Sequence, residues 1–494
     1  MRADRAPVPP LPPPWTAAPP PPPLPPPWTA PAPRRVGVPA AIALVGTFVA
    51  FLDATIVNIA VPDIVRSFPA ARLSTVSWVL NAYNVVFAAF LVPAGSAADR
   101  WGVRRAFLVG LALFTAASAA CGLAPSIGFL IGARLAQAAG SALLVPASLA
   151  VLLPLFPRER RTVAVTLFSA VAAVASGIGP SIGGALLDLA GWELAFWVNV
   201  PIGVAALAVA FSRVPRTPPP RTGGAPDLAG AAGAAATVGT LALAIVQGPE
   251  WGWADARVLG LFGATAALLA GVVRRTARHP SPVVDPALLR RPVPARANLV
   301  SLLFATAFFA NVLCNVLFLT GVWHYGMLRA GFAVTPAPLA AAVTSVPAGR
   351  LADRFGPRSV VLPGAVCFAV GCALYATVLG GEPAFATRWL PVALLTGVGI
   401  GLVLPVLSGA ALTGIPAERF ATASGINSAA RQIGAVLGTS LLVAVTGTPT
   451  GAEEAHRAYE RGWWAAVCLA ALSALCATAL RDGRRPRDTA GEVG

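Results

Sequence analysis

The chain alternates long apolar runs with short polar breaks from about residue 37 to its end. The runs fall near 37–61, 78–97, 106–123, 127–153, 162–187, 196–212, 227–247, 258–273, 297–320, 331–349, 359–379, 389–412, 421–446 and 463–480, fourteen in all. A helix rises 1.5 Å per residue, so about 20 apolar residues cross a hydrocarbon core of roughly 30 Å. Each run therefore predicts a transmembrane helix. Several contain Gly or Pro, which membrane helices tolerate because neighbours re-satisfy the freed backbone groups. The fold class expected is an all-α polytopic membrane protein with the lipid bilayer as its surroundings.

Arginine placement tests this count. With the N-terminus in the cytoplasm and alternating sides, the cytoplasmic segments hold 27 arginines and the outer loops 7. Arg134 and Arg431 lie inside runs. Basic residues concentrate on the cytoplasmic side of membrane proteins, and dropping one span would reverse every later loop. An even count with both termini cytoplasmic follows.

Composition agrees. Of 494 residues, 56% are hydrophobic and 11% charged, with a mean hydropathy of +0.73. A soluble domain carries roughly a quarter charged residues. The net charge of +16 would suggest nucleic acid in a soluble protein. Here the arginines sit in short loops, so no nucleic-acid partner is expected.

Every one of the 36 basic residues is Arg. Without Lys there is no Walker A phosphate loop and no pyridoxal or retinal Schiff base. Cys121, Cys314, Cys367, Cys372, Cys468 and Cys476 lie in or beside apolar runs without a CxxC pair. They read as packing residues. His279, His324 and His456 fall in expected loops without zinc-ligand spacing. No metal, cofactor or catalytic constellation is expected, and the chain does not read as an enzyme.

Residues 1–33 are dominated by proline, and Leu-Pro-Pro-Pro-Trp-Thr-Ala occurs at 11–17 and 24–30. Such a segment favours extended polyproline-like chain. It fits a tolerated tail or a ligand for a proline-binding domain. It has no early apolar core, so the first span serves as the insertion signal. The expected organisation is a disordered cytoplasmic tail at 1–35, a six-helix bundle at 36–213, a linker with two spans at 214–296, a second six-helix bundle at 297–481 and a short cytoplasmic tail at 482–494.

Two loops repeat one pattern two helices into each bundle. The first places Gly95, Asp99, Arg100, Gly102, Arg104 and Arg105 as the second places Gly349, Asp353, Arg354, Gly356 and Arg358, except that Arg105 has no counterpart. Glycine permits the tight turn, and Asp beside Arg can make charge-assisted hydrogen bonds at a helix end. The repetition points to a duplicated bundle.

This pattern resembles motif A of the major facilitator superfamily. Further stretches resemble its fourteen-span drug:proton antiporter branch. Leu52-Asp53-Ala-Thr-Ile-Val-Asn58-Ile-Ala-Val-Pro62 is similar to the branch's first-helix motif. Arg134-Leu-Ala-Gln137-Ala-Ala-Gly140 resembles motif B. Gly177-Ile-Gly179-Pro180-Ser-Ile-Gly183-Gly184 resembles the antiporter motif C, and Phe196-Trp-Val-Asn199-Val-Pro201 the entry to the sixth helix. Val103, Ala138, the Trp192-Glu193-Leu194 triplet and Thr320 depart from the family pattern. The resemblance implies two six-helix bundles around a midplane cavity, with two linker helices. It implies a monomer in the bacterial inner membrane that exports a small hydrophobic or cationic compound against protons. Proton-coupled uptake of a metabolite and a non-transporting membrane sensor or assembly protein are the alternatives.

The charges can be placed independently. Asp53 lies about 12 Å below the outer end of the first run, and Arg134 about 10 Å below the same surface. Charges at such depth should face a cavity or each other. Asp53 is the sole acid well inside a run, so it is the candidate proton site, although a purely structural ion pair also fits. Asn58, Asn199 and Arg431 are candidate cavity residues. Arg431 has no intramembrane acid in its own half; an anionic group in the cavity and a packing role fit it equally. Gly179 and Gly183 form a GxxxG face for close helix approach, and Pro180 can kink the helix.

Overall fold

The computed structural model describes residues 37–480, except 70, 72, 158–159, 216–226, 280–281, 283–290 and 448–451. The chain divides into two units, 1–36 and 37–494. The Pro-rich tail, its heptapeptide repeat and the segment 482–494 lie outside the described residues.

Among those residues all regular structure is helical. The order is α1 (Gly37–Ser67), α2 (Leu73–Trp101), α3 (Val103–Gly122), α4 (Ile127–Leu152), α5 (Arg161–Ala190), α6 (Leu194–Trp197) and α7 (Asn199–Arg213). It continues with α8 (Leu228–Trp251), α9 (Ala256–Thr276), α10 (Pro292–Gly321), α11 (Met327–Val334), α12 (Pro336–Phe355), α13 (Arg358–Val378), α14 (Leu390–Ala410), α15 (Phe420–Thr446) and α16 (Ala452–Ala477). Every apolar run lies on one of these helices or on a consecutive pair.

Local chemistry sets the boundaries. Ser126, Asp227 and Asp255 cap α4, α8 and α9, accepting from the amides of Phe129, Gly230 and Arg257. Gly102 (φ 95°) and Gly356 (φ 89°) make the turns from α2 to α3 and from α12 to α13, in a backbone region that favours glycine. The repeated glycine of the two motif A-like loops thus performs the same turn twice.

Among the described residues, twelve helices are long and apolar enough to cross a membrane by length and composition. The two remaining runs lie on α5, where Val163–Gly179 forms a shorter apolar stretch, and on α16. The description of α16 corrects one expectation. His456 stands in helix, because α16 begins at Ala452, well before its apolar part. Glu453 pairs with Arg457 (3.8 Å) and His456 with Glu460 (3.1 Å), one helical turn apart. Hydropathy registers the apolar second half of this helix and passes over its charged first half.

The packing repeats. In the first half α1 packs on α5, α2 on α4, and α3 on α4; in the second α10 packs on α15, α12 on α14, and α13 on α14. The halves meet along two seams, α2 with α15 and α5 with α12. The hairpin α8–α9 is bonded internally by Thr240 and Thr265 (2.9 Å) and lies against α2 and α15. Its helices are the least buried of the candidate spans.

Candidate functional site

Asp53 and Arg134 pair deep in the first half. Arg134 Nη1 donates to Asp53 Oδ2 at 2.6 Å, and both side chains are almost wholly buried. Their expected common depth rested on a first helix ending near residue 61. In fact α1 runs on to Ser67, fourteen residues past Asp53, or about 21 Å. The pair still forms because α1 reaches beyond the start of α4.

A buried ion pair recovers its desolvation cost when further hydrogen bonds satisfy the remaining donors and acceptors. Gln137 and Asn199 donate to Asp53 Oδ1 at 2.8 and 3.1 Å. Arg134 Nη1 also donates to Gln137 Oε1 (2.7 Å), and its Nε to the Val79 carbonyl (3.2 Å). Its guanidinium carbon lies 4.1 Å from the Tyr83 ring centroid, a cation–π distance. Ser118 accepts from Gln137 and Asn199 at 3.1 and 3.3 Å and donates to the Phe196 carbonyl at 2.9 Å. Asn199 Oδ1 is buried without a partner among the described residues. The network joins six elements, α1, α2, α3, α4, α6 and α7. Asp53 has no exposed surface, so a proton can reach it from water when some of these helices part.

Of the sequence candidates, Asp53, Arg134, Gln137 and Asn199 therefore meet at one point. Ser118 and Tyr83 were missed, since single polar residues within apolar runs carry no motif. The side chains of Asn58 and Pro180 lie outside the described residues.

The glycines of motifs B and C hold helices close. A Cβ on Gly140 would stand 2.6 Å from the Phe114 amide nitrogen of α3. One on Gly179 would stand 2.1 Å from Thr55 Oγ1 of α1, and one on Gly177 2.3 Å from Pro338 of α12. Motif C thus faces its own half through Gly179 and the opposite half through Gly177. Gly183 is buried and Gly184 half-buried. A counterpart escaped the sequence reading. Gly434 and Gly438 of α15 would place a Cβ 2.6 and 2.3 Å from the carbonyls of Leu302 and Thr306 on α10. Their GxxxG spacing was the available signal.

The first motif A loop fastens the halves together. Asp99 is buried at the start of α15, where it accepts from the amides of Ala421 (3.0 Å) and Thr422 (2.8 Å) and from Thr422 Oγ1 (2.5 Å). A carboxylate there satisfies orphan amides and meets the positive end of the helix dipole. Gly95 permits the crossing, since its Cβ would be 2.5 Å from the Ala421 carbonyl oxygen. Arg100 donates to the Pro282 carbonyl (3.3 Å), Arg104 donates to the Phe211 carbonyl, and Arg105 is exposed. In the second loop Gly349 would meet Thr166 of α5 at 2.5 Å, while Asp353, Arg354 and Arg358 are exposed. The glycine contact is duplicated, and the burial of the Asp is not.

Arg431 lies on α15 with a different surrounding. It donates to Ser408 (3.1 Å) and Ser428 (3.3 Å), and pairs with no carboxylate among the described residues.

The model of the Major Facilitator Superfamily matches residues 43–439, and a second match spans 299–492. The chain belongs to the major facilitator superfamily. Among similar superfamily proteins, the multidrug resistance protein Stp of Mycobacterium tuberculosis is 34% identical over 401 residues, covering 81% of this chain and 74% of Stp. The cephamycin export protein CmcT of Amycolatopsis lactamdurans is 33% identical, covering 85% and 87%. The tetracenomycin C resistance and export protein of Streptomyces glaucescens is 30% identical, covering 81% and 73%. The human organic anion transporter MFSD10 (TETRAN) shares the fold, with a TM-score of 0.66 at 18% identity, covering 90% of this chain and all of that one. The protein is a multi-pass membrane protein with the major facilitator fold.

Proposed function

We propose that this protein is a proton-driven efflux transporter that exports small organic compounds, working as a monomer in the bacterial cytoplasmic membrane. Both termini face the cytoplasm. Residues 36–213 and 297–481 are the two moving bundles, 214–296 is the linker, and 1–35 and 482–494 are cytoplasmic tails. Export is supported by relatives named for antibiotic resistance and export, and by motif C.

The observation that carries the proton coupling is the sealed Asp53–Arg134 pair. For carboxylates in general, burial favours the protonated form and a nearby guanidinium the ionised form. A helix movement that separates the pair and opens it to water exchanges these influences. Proton binding then biases one state over the other, which is what coupling requires. Gln137, Asn199 and Ser118 orient the carboxylate, and Asn199 Oδ1 offers an acceptor beside it. Asp99 on α15 closes the end that carries the termini, while Gly177 against Pro338 lies in the other part of the seam.

The test uses everted vesicles with and without a pH gradient. Asp53→Asn keeps the shape and removes the titratable charge. It should reach the membrane and lose gradient-driven export. Flux equal to wild type would place the proton site elsewhere.

A further inference from the structure

Arg431 sits eleven residues into α15, about 16 Å along its axis and so near mid-membrane depth. It is half-buried, and it uses two of its donor nitrogens on serine hydroxyls. Ser440 shows which way it points. Ser440 donates to the Ile245 carbonyl of α8, on the linker side of α15 (3.1 Å). Nine residues are about two and a half helical turns, so Arg431 points away from the linker and into the molecule.

Its surroundings there are polar and neutral. Asn427 donates to Asn298 and Ser301 of α10 (3.0 and 3.1 Å), and Ser408 of α14 donates to Asn427 (3.2 Å). Gln432, the next residue, reaches across the seam to Asn84 of α2 at 3.5 Å. Asn84 follows Tyr83, whose ring supports Arg134. Arg431's own bonds stay in the second half, but the next residue on its helix, Gln432, makes a seam contact to Asn84, which adjoins Tyr83 of the ion-pair network.

A cation at this depth in lipid pairs with an acid or with backbone carbonyls, or faces a watery cavity, and the hydrogen bonds of Arg431 go to serine hydroxyls. Arg431 has no acid partner among the described residues. Asp53, by contrast, is fully engaged by Arg134, Gln137 and Asn199 and offers a cationic cargo no free carboxylate in this state. We infer that Arg431 is a cargo-binding residue that takes an acidic group, so the preferred cargo is a hydrophobic organic anion such as a carboxylate. Guanidinium suits this task because its planar donors match a carboxylate in geometry and charge. The inference narrows the cargo of the exporter proposed above and rests on that reading.

The test uses full-length protein in liposomes and the matched probes pyrenebutyrate and pyrenebutyric acid methyl ester, with ethidium as a cation. Binding is read from pyrene and ethidium fluorescence, and export from gradient-driven flux. Wild type should bind the acid more tightly than its ester. Arg431→Gln should weaken acid binding at least about tenfold, or roughly 1.4 kcal/mol, and leave ester and ethidium binding unchanged. Arg431→Lys keeps the charge without the fork and should fall between. The inference is overturned if wild type does not prefer the acid, if Arg431→Gln binds it as wild type does, or if both variants lose all three probes together. Acid-selective binding without gradient-driven flux of any probe would instead sink the exporter reading and keep the anion site.

Discussion

Arg134 and Arg431 are the two arginines inside the apolar runs, one in each half of a duplicated fold. Arg134 meets a carboxylate, a glutamine, a carbonyl and an aromatic face, and is sealed from water. Arg431 meets two serines of its own half and stays only half-buried. The same side chain is thus a closed electrostatic unit in one half and an open one in the other. Duplication copied the helices and their glycine contacts; the charges inside the membrane were not copied.

The comparison can be broken most directly by removing partners. Asp53→Ala strands Arg134 in a dry interior. The loss should be about 3–5 kcal/mol, as for other broken buried pairs. Arg431→Gln strands no charge and should change stability by under about 1 kcal/mol. Melting of both variants in detergent measures this. Equal losses would mean that the two arginines do the same structural work.

A smaller effect separates the glycine seams. Gly179→Ala presses on a threonine side chain, whereas Gly438→Ala presses on the Thr306 carbonyl, which cannot rotate away. Overpacking costs typically 1–3 kcal/mol. Gly438→Ala should lie at the upper end of that range and Gly179→Ala at the lower, while Gly179→Leu should block transport. If thermal melts rank the two alanine variants the other way, the backbone-contact argument fails.

The motif A loops differ by a cap. Asp99→Asn weakens the cap on α15 and should cost about 1 kcal/mol. Asp353→Asn alters an exposed residue and should cost less. A matched pair of unfolding curves decides between equal and unequal roles.

The smallest effect is in the linker. Burial alone would raise the Asp227 carboxyl, but hydrogen bonds from Arg275 and the Gly230 amide, with the charges of Arg275 and His279, hold it below its usual value. A depressed carboxylate contributes stability that is present above its unfolded value near 3.9 and lost as pH falls through the lower folded value. Wild type should therefore lose a fraction of a kcal/mol as pH falls below about 4 that Asp227→Asn does not lose, since Arg275 is partly exposed. Identical acid profiles for the two would remove this role.

Much of the fold was legible because lipid imposes a one-dimensional rule. A spanning segment must satisfy its own backbone and present apolar side chains, so each helix is written in a contiguous stretch of chain. The repeated glycine before α3 and α13 was readable for a similar reason, since its turn is local. Asp53 and Arg134 could be matched in depth because helical rise converts residue counts into distance. Even this worked in spite of a first helix that extends to Ser67.

Tertiary structure decided what depends on helix rotation and on pairing between distant segments. It brought Ser118 and Tyr83 to the ion pair, set Asp99 on α15 more than 300 residues away, and turned Gly179 toward α1 and Gly177 toward α12. Hydropathy averages around a helix and discards its face, so no count of apolar residues could tell which arginine would be enclosed. The amino-acid order determined which segments enter the membrane; their packing determined that Arg134 finds its acid inside the protein and that Arg431 does not.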